Sequence, residues 1–293
     1  MINATTRQKI TDLKKQFETL KRGKEALLQL IDDTELPEAV YNSNAIENST
    51  LTLKETERIL LEQEVMRQIS VRELFEAKNL AHVTEYLRSK SNMPLNKENM
   101  LLLHQMLIGG IDNAIAGRFR YANEYVRVGT HIAPSPEHVE GLLNSLIVEY
   151  ESNHERYFLE RIVYFHLEFE RIHPFIDCNG RIGRVLINLQ LAKLGFPPVI
   201  IRNKSKYDYY YPAFRAFQEN GKTDILDRQL SLALTESLHK RLAYLKGQEL
   251  VSLASYAKAK DESINSLINA ARRQTIPAFR VKGVWKIGVP TKD

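Results

Sequence analysis

Two apolar stretches separated by a short polar segment constrain the fold of this chain more than any other feature. Residues 157–171 and 181–194 each repeat apolar side chains at the three- and four-residue spacing of a buried helix face. Gly195 follows the second stretch and is predicted to end its helix, because glycine commonly terminates helices. Residues 173–180 are therefore predicted to form a loop between two buried helices, and the end of that loop enters a helix N-terminus.

The rest of the chain is also mostly helical in pattern, with two short exceptions. Residues 52–55 have the pattern of a capping box, and Ser135-Pro136 predicts another helix start with a cap. Residues 125–132 and 276–287 instead alternate around a glycine and are rich in β-branched and aromatic residues, which predicts two small hairpins. The predicted fold class is all-α with small hairpins.

Composition favours a chain that works in a reducing, aqueous compartment. Among 293 residues there is one cysteine, Cys178, so no internal disulfide can form. No segment has the pattern of a signal peptide or the apolar run of roughly 20 residues that a membrane span needs. We therefore expect a soluble cytoplasmic protein without membrane contact. The net charge of +5 resides in residues 251–293, where any attraction to polyanions is expected.

Residues 173–184 combine several groups that can bind phosphate. Backbone N–H groups at a helix N-terminus attract anions, and Asn179-Gly180 permits the tight turn that would aim them outward. Arg181 and Arg184 follow three residues apart on one helical face and suit phosphate oxygens. Taken singly, such strings are usually solvated turns or helix faces. Together, between two buried helices, they favour a functional site.

Two further side chains of this segment can supply chemistry. Asp177 is a hard oxygen ligand suited to a Mg²⁺ ion that also touches phosphates. His173 can be neutral near pH 7 and accept a proton from an incoming hydroxyl, although a lone His-Pro pair is more often an ordinary turn. A zinc site is disfavoured, because histidine and cysteine do not cluster at ligand spacing.

The same segment resembles the signature of Fic-domain proteins, His-Pro-Phe-x-Asp/Glu-Gly-Asn-Gly-Arg-x-x-Arg. It matches every defined position except one, since Cys178 stands where the signature has glycine. The resemblance extends from about Pro94 to about Leu234 and includes both flanking helices and the upstream hairpin. It implies an all-helical domain that transfers AMP from ATP to a Tyr, Thr or Ser hydroxyl of another protein.

The resemblance also assigns roles to individual residues. His173 would be the general base, and Asp177 would hold Mg²⁺. The ATP-binding residues implied within the signature are Asp177, Cys178, Asn179 and Gly180 around the α-phosphate, Arg181 at the β-phosphate, Ile182, Gly183, and Arg184 at the γ-phosphate.

Residues outside the signature complete the implied site. Those of the upstream hairpin resemble a flap that aligns the target segment by strand addition. They are Val128, Gly129, Thr130 and His131. Tyr210 and Gln218 resemble positions that help to form the adenine pocket, although Gln218 falls where asparagine is common.

Cys178 is open to two interpretations. It could be a catalytic thiol or a small packed residue, and the second is favoured because nothing else indicates thiol chemistry. If the position requires a positive φ, cysteine costs roughly 1–2 kcal/mol there. At a negative φ it fits with little penalty.

Ser43, Glu47 and Asn48 form a second motif, N-terminal to the first. Ser43 and Glu47 are four residues apart and so share a helical face, although such strings are common at solvated helix ends. The motif is similar to the family's inhibitory motif, Ser/Thr-x-x-x-Glu-Gly/Asn, in the subclass whose inhibitory helix precedes the core. The resemblance implies that Glu47 pairs with Arg184 and excludes the γ-phosphate. Alternatively, Glu47 could position a water that removes AMP from a modified target.

Residues 251–287 are predicted to form helix, turn, helix and hairpin. This order loosely resembles a winged helix-turn-helix of the excisionase type. Such a module could present Arg272, Arg273, Arg280 and Lys282 to DNA phosphates. It could equally pack against the core or a second subunit.

Three regions are therefore predicted: an N-terminal helical region at 1–93, a Fic core at 94–235 and a basic domain at 249–293. Besides a protein adenylyltransferase, two other functions stay open. One is a DNA-binding regulator with a nucleotide-sensing Fic-like domain, and the other is an enzyme that transfers a different phosphate-linked group. A homodimer would suit the family.

Overall fold

Helices dominate the computed structural model, which describes residues 1–65, 67–90 and 92–291. The twelve α-helices of these residues are α1 (Ala4–Leu20), α2 (Glu25–Ile46), α3 (Leu53–Glu57), α4 (Val71–Ser89), α5 (Lys97–Ile108), α6 (Val139–Ser152), α7 (Phe158–Ile172), α8 (Asn179–Lys193), α9 (Tyr211–Asn220), α10 (Asp224–Leu245), α11 (Leu253–Lys260) and α12 (Ile264–Arg272). The predicted all-α class is confirmed. No helix in the described part of the chain is long and apolar enough to cross a membrane.

The two predicted hairpins are both present. β1 (Arg127–Val128) pairs antiparallel with β2 (His131–Ile132). β4 (Ala278–Val281) pairs antiparallel with β5 (Val284–Val289), and β3 (Glu249–Ser252) pairs with the other edge of β5. The resulting sheet order, β3-β5-β4, was not predicted, because β3 is short and its partner lies far along the chain.

The predicted helix starts are right at one position and wrong at another. Thr52 and Glu55 form the capping box in front of α3. The chain at Ser135 instead enters a 3₁₀ turn at Pro136–His138 before α6 begins, and the Ser135 side chain makes no capping hydrogen bond. The tighter turn is closed by the backbone, since His138 N–H donates to Ser135 O at 3.1 Å.

Helices α7 and α8 carry the core around the loop that joins them. α8 begins two residues earlier than predicted, at Asn179, because Cys178 adopts a left-handed conformation that turns the chain into the helix. The apolar side chains of both helices are almost entirely buried, which confirms the predicted burial of the two stretches. They include Ile162, Val163, Phe165, Phe169, Ile182, Leu186 and Leu189.

The chain divides into two compact units. The first comprises Met1, Pro37–Phe196 and Ile200–Asp227, and it contains both sequence motifs. The second comprises Ile2–Leu36, Pro197–Val199 and the residues from Arg228 onward. The second unit has an apolar core of its own, formed by Leu253, Ala271, Ala278 and Ile287. The boundaries of the three regions drawn from the sequence stay predictions.

Candidate active site

The loop between α7 and α8 is closed by its own side chains. Phe175 is completely buried, and its ring stacks on His104 with centroids 3.9 Å apart. The Asn179 side chain accepts from Phe175 N–H at 2.9 Å and donates to Phe175 O at 2.9 Å. Asn179 is therefore committed to the loop through its side chain, and only its backbone N–H remains for an anion.

Cys178 occupies the position where positive φ is needed. Its φ is +69°, so the cysteine is in the conformation that glycine adopts without strain. The side chain is 4% exposed, and burial raises the pKa of its thiol to about 12. A neutral, buried thiol is a poor nucleophile, so these observations favour a packed residue over a catalytic one.

The first turn of α8 carries the unpaired N–H groups of Asn179, Gly180 and Arg181, because the first residues of a helix have no intrahelical acceptor. A Cβ on Gly180 would lie 2.2 Å from Glu47 Oε1, so the absence of a side chain lets this carboxylate approach the backbone. The Glu47 carboxylate thus lies against the helix N-terminus, where an anion is favoured. By contrast, Ile182 is fully buried and its N–H donates to Cys178 O, so this predicted ATP contact offers no group to a nucleotide.

Arg184 joins the two sequence motifs through contacts with Ser43 and Glu47. Its Nη2 donates to Glu47 Oε1 at 2.8 Å and to the backbone oxygen of Ser43 at 2.9 Å. Its Nε donates to the Ser43 hydroxyl at 2.9 Å. Arg184 is 6% exposed, so Ser43 and Glu47 occupy an arginine that the surrounding protein has largely removed from water.

The other arginine of the motif, Arg181, is one of four alternating charges that contact one another. Arg181 Nη1 lies 3.1 Å from Glu76 Oε1, and its Nη2 lies 3.6 Å from Asp177 Oδ1. Arg72 on α4 donates from Nε to Glu76 Oε1 at 2.9 Å and from Nη2 to Asp177 Oδ2. Burial raises the pKa of Asp177, but the N–H of Cys178 and the two arginines outweigh it, so this pKa lies below its usual value.

His173 ends α7 in a left-handed conformation, with a φ of +50°. Burial lowers the pKa of its imidazole to about 4, so the ring is neutral at pH 7. Its Nδ1 lies 3.3 Å from the backbone oxygen of Glu170. Because that oxygen can only accept, Nδ1 carries the proton and Nε2 has the lone pair that a base needs.

Glu170 is a site residue that the sequence analysis missed. Its Oε1 would be 2.8 Å from a Cβ on Gly183, and its Oε2 lies 3.8 Å from His173 Nδ1. Burial raises the pKa of this carboxyl to about 8, and the Glu47 carboxylate acts in the same direction. The available signal was an acidic residue on the apolar helix, one turn before the motif histidine.

The residues of the predicted flap and of the predicted adenine pocket differ in their polar contacts with the helices around the motif. In the flap, Gly129 has a φ of +59°, and His131 Nε2 lies 2.8 Å from the backbone oxygen of Arg171 at the end of α7. Tyr210 is 2% exposed, and its hydroxyl lies 2.8 Å from His166 Nε2. Gln218 is exposed on α9, and no polar contact of the described residues joins it to the motif.

Two further residues missed from the sequence hold the end of α2. The Lys206 ammonium is buried and donates to Ala45 O at 2.8 Å, to Ile46 O at 3.2 Å and to Asn48 Oδ1 at 2.8 Å. The Tyr211 hydroxyl donates to Ile46 O at 2.6 Å. A cation at helix C-terminal carbonyls is stabilising, so these contacts fix the helix that carries Glu47.

Comparison with known proteins identifies the domain that carries the motif. Residues 94–191 match the Fic/DOC family. This part of the chain is a Fic domain. The chain is 33% identical over 179 residues to the protein adenylyltransferase Fic of Nematostella vectensis, covering 58% of this chain and 41% of the relative. It is 28% identical over 274 residues to the protein adenylyltransferase fic-1 of Caenorhabditis elegans, covering 92% of this chain and 50% of the relative.

Solved structures of Fic proteins share the fold. A Fic-domain-containing signalling protein from Bacteroides thetaiotaomicron has a TM-score of 0.73 and 25% identity, with 82% of this chain and 98% of that chain covered. Fic-1 from Caenorhabditis elegans (residues 134–508) has a TM-score of 0.69 and 25% identity, with 82% of this chain and 72% of that chain covered. This chain spans half or less of the length of the two curated relatives named above.

The residues present fit a magnesium ion that arrives with a nucleotide. Among the described residues, no three His, Cys, Asp or Glu side chains cluster as a metal site. Magnesium does not need such a cluster, because it commonly takes one or two carboxylates and completes its shell with phosphates and water. Asp177 supplies one ionised carboxylate, 35% exposed, beside the N-terminus of α8.

Proposed function

We propose that this protein is an adenylyltransferase that transfers AMP from ATP to a hydroxyl side chain of a target protein. The observation that carries the proposal is a neutral His173 next to a helix N-terminus at which Arg184 and the N–H groups of α8 converge on one anion position. The names of the related Fic proteins support the same reaction.

The proposed reaction is an in-line displacement at the α-phosphorus. The target hydroxyl oxygen forms a bond to phosphorus while its proton passes to Nε2 of His173. The bond to the bridging oxygen breaks, and its electron pair leaves with pyrophosphate. The N–H groups of Asn179, Gly180 and Arg181 stabilise charge on the phosphoryl oxygens, which is commonly worth about 10²-fold or more in rate per donor. Asp177 would hold Mg²⁺, which neutralises phosphate charge when it is bound.

Glu47 is the proposed brake on this reaction. Its carboxylate pairs with Arg184, which would receive the γ-phosphate, and it also lies against Gly180, where the α-phosphate is expected. ATP can then bind only in an unproductive position, and the wild-type chain is expected to be weakly active. The same carboxylate could instead orient a water for removal of AMP, which a modified target would reveal.

The test is incubation with Mg²⁺ and ATP labelled at the α-phosphate. We expect Glu47→Gly to raise the label on protein by at least about 10-fold over wild type, since Arg184 is then available to the nucleotide. The double variant Glu47→Gly/His173→Ala should lose the label, because no base remains. Label from γ-labelled ATP, or stronger label from another nucleotide, would instead support transfer of a different group.

A second proposed function is DNA binding by the C-terminal residues. Strand β3, helices α11 and α12, and the hairpin β4–β5 follow in the order of a winged helix. On α12 the exposed residues Asn265, Asn269 and Arg272 lie at the four- and three-residue spacing of one face. Arginine can bind the base edge of guanine through two hydrogen bonds, and asparagine can bind that of adenine in the same way. This face favours DNA contact through α12.

One of the predicted phosphate contacts, Arg280, is already paired within the protein. Arg280 Nε donates to Glu236 Oε1 at 2.9 Å, and its guanidinium lies 4.6 Å from the Trp285 ring centroid. The Arg280 side chain is still 29% exposed, so its contact with DNA phosphates stays a prediction.

The DNA proposal is tested by fluorescence anisotropy with a duplex of about 20 base pairs at several salt concentrations. Arg272→Ala/Arg273→Ala should lower the slope of log affinity against log salt by about 2, because each arginine that binds a phosphate contributes about one unit. Lys258→Ala/Lys260→Ala removes the same charge from α11 and serves as the control. If the two double variants change the salt dependence equally, the chain attracts DNA only through its overall charge, and α12 has no special role.

A further inference from the structure

We propose that Arg72 is a built-in counter-cation that competes with the divalent metal ion for Asp177. The inference rests on the proposed role of Asp177 in nucleotide binding and adds a regulator to it. Arg72 donates to Asp177 Oδ2, while Oδ1 accepts from Cys178 N–H at 2.5 Å and faces Arg181. Both carboxylate oxygens are thus engaged, and a metal ion needs at least one of them.

Arg72 is the partner that can leave. Its side chain is 51% exposed, whereas that of Arg181 is 3% exposed. The Cys178 N–H belongs to the turn that starts α8, so it cannot move away from Asp177 unless that turn is disrupted. An exposed guanidinium exchanges its partner for water at little cost, because ion pairs at a protein surface are weak. A metal ion therefore reaches Asp177 Oδ2 by displacing Arg72.

Glu76 keeps the displaced arginine close to the site. Its Oε1 accepts from Arg72 Nε at 2.9 Å and also lies 3.1 Å from Arg181 Nη1. Glu76 is 12% exposed and one helical turn beyond Arg72 on α4, so this tether persists when Arg72 moves away from Asp177. The arrangement makes metal affinity depend on α4, a helix outside residues 173–184.

The experiment is titration of the intact chain with Mn²⁺ alone, followed by the electron paramagnetic resonance signal of the free ion. Arg72→Gln should tighten Mn²⁺ binding by about 2- to 5-fold, because a competing but weakly bound cation is gone. Arg67→Gln is the matched control, since Arg67 is also an exposed arginine paired with a carboxylate, that of Glu55. It should bind Mn²⁺ as wild type does. Adding Asp177→Asn to Arg72→Gln should remove the gain.

The outcomes separate this inference from the function on which it rests. If Asp177→Asn weakens binding but Arg72→Gln leaves it unchanged, the competition is overturned while the metal role of Asp177 stands. If Asp177→Asn has no effect in either background, Asp177 holds no metal ion in the nucleotide-free chain, and this inference is overturned. Neither result depends on AMP transfer.

Discussion

Glu170 is a buried acid whose pKa lies far from its usual value. It is buried one turn before His173, and its Oε1 accepts no hydrogen bond from the described residues. Burial first, and then the Glu47 carboxylate, raise its pKa to about 8, while Arg184 opposes them. Since the carboxyl ionises near its usual value in the unfolded chain, its contribution to stability is complete below about pH 4.5. That contribution is lost as the pH rises to about 8.

Glu170→Gln is therefore expected to raise the free energy of unfolding at pH 8.5 by about 1–3 kcal/mol and to change it little at pH 5. Urea unfolding at both pH values measures this. Glu168→Gln on the same helix is the control, because that carboxylate already accepts from Arg171 Nε at 2.7 Å. Equal changes at the two pH values would show that Glu170 is not titrating in this range.

Helix α2 is the element on which the proposed inhibition depends. Its last turn is held by the Lys206 ammonium through three acceptors, and Tyr211 donates to the same turn. Neither residue contacts Glu47 through a described hydrogen bond, so they act on the carboxylate by positioning its helix. A buried cation with three acceptors is a strong restraint, because charged hydrogen bonds are commonly worth about 1.5–3 kcal/mol.

We expect Lys206→Met to raise label transfer from α-labelled ATP by about 3- to 10-fold, less than Glu47→Gly does, because the helix end is loosened while the carboxylate remains. Methionine retains the apolar stem, and hydrogen exchange of residues 41–48 should become faster. Lys204→Met is the control, since Lys204 is exposed and two residues away. If Lys206→Met leaves label transfer unchanged while Glu47→Gly raises it, Lys206 does not position the end of α2 for inhibition.

Over the whole molecule, buried histidines make stability sensitive to acid. Burial lowers the pKa values of His104, His173 and His239 to about 4 and that of His166 to about 3. In the unfolded chain these rings take up protons near pH 6.5, whereas the folded chain resists protonation until about pH 4. Their stabilising effect is therefore present above pH 6.5 and lost as the pH falls towards 4.

The free energy of unfolding should thus be lower at pH 5 than at pH 7 by about 3 kcal/mol or more, even though Glu170 acts in the opposite direction. Denaturant titrations at pH 5, 6 and 7 test this. His104→Gln or His239→Gln should flatten the pH dependence, and the exposed His82→Gln should not. An unchanged slope in both buried variants would mean that other groups dominate acid sensitivity.

Local pattern determined a large part of this fold. The predicted bounds of residues 157–171 and 181–194 agree with those of α7 and α8 to within two residues. The prediction succeeds because the apolar residues of a buried helix face recur every three or four positions. The hairpins at 125–132 and 276–287 followed from alternation and a turn glycine. The Fic domain could be recognised from the twelve residues 173–184. These residues are consecutive because one loop and the first turn of one helix carry most of the anion-binding groups.

Tertiary structure decided what these groups contact. Arg72 meets Asp177 across 105 positions, Glu47 meets Arg184 across 137, and Lys206 meets Ala45 across 161. Among these three contacts, only the pair of Glu47 and Arg184 was expected, and only because a family resemblance named it. Spacing along a chain carries no information about such contacts, because ion pairs form wherever packing brings opposite charges together. The sequence alone determined which chemistry is present, and the packing of α2, α4 and α8 decided which of these groups are paired, buried or open to a ligand.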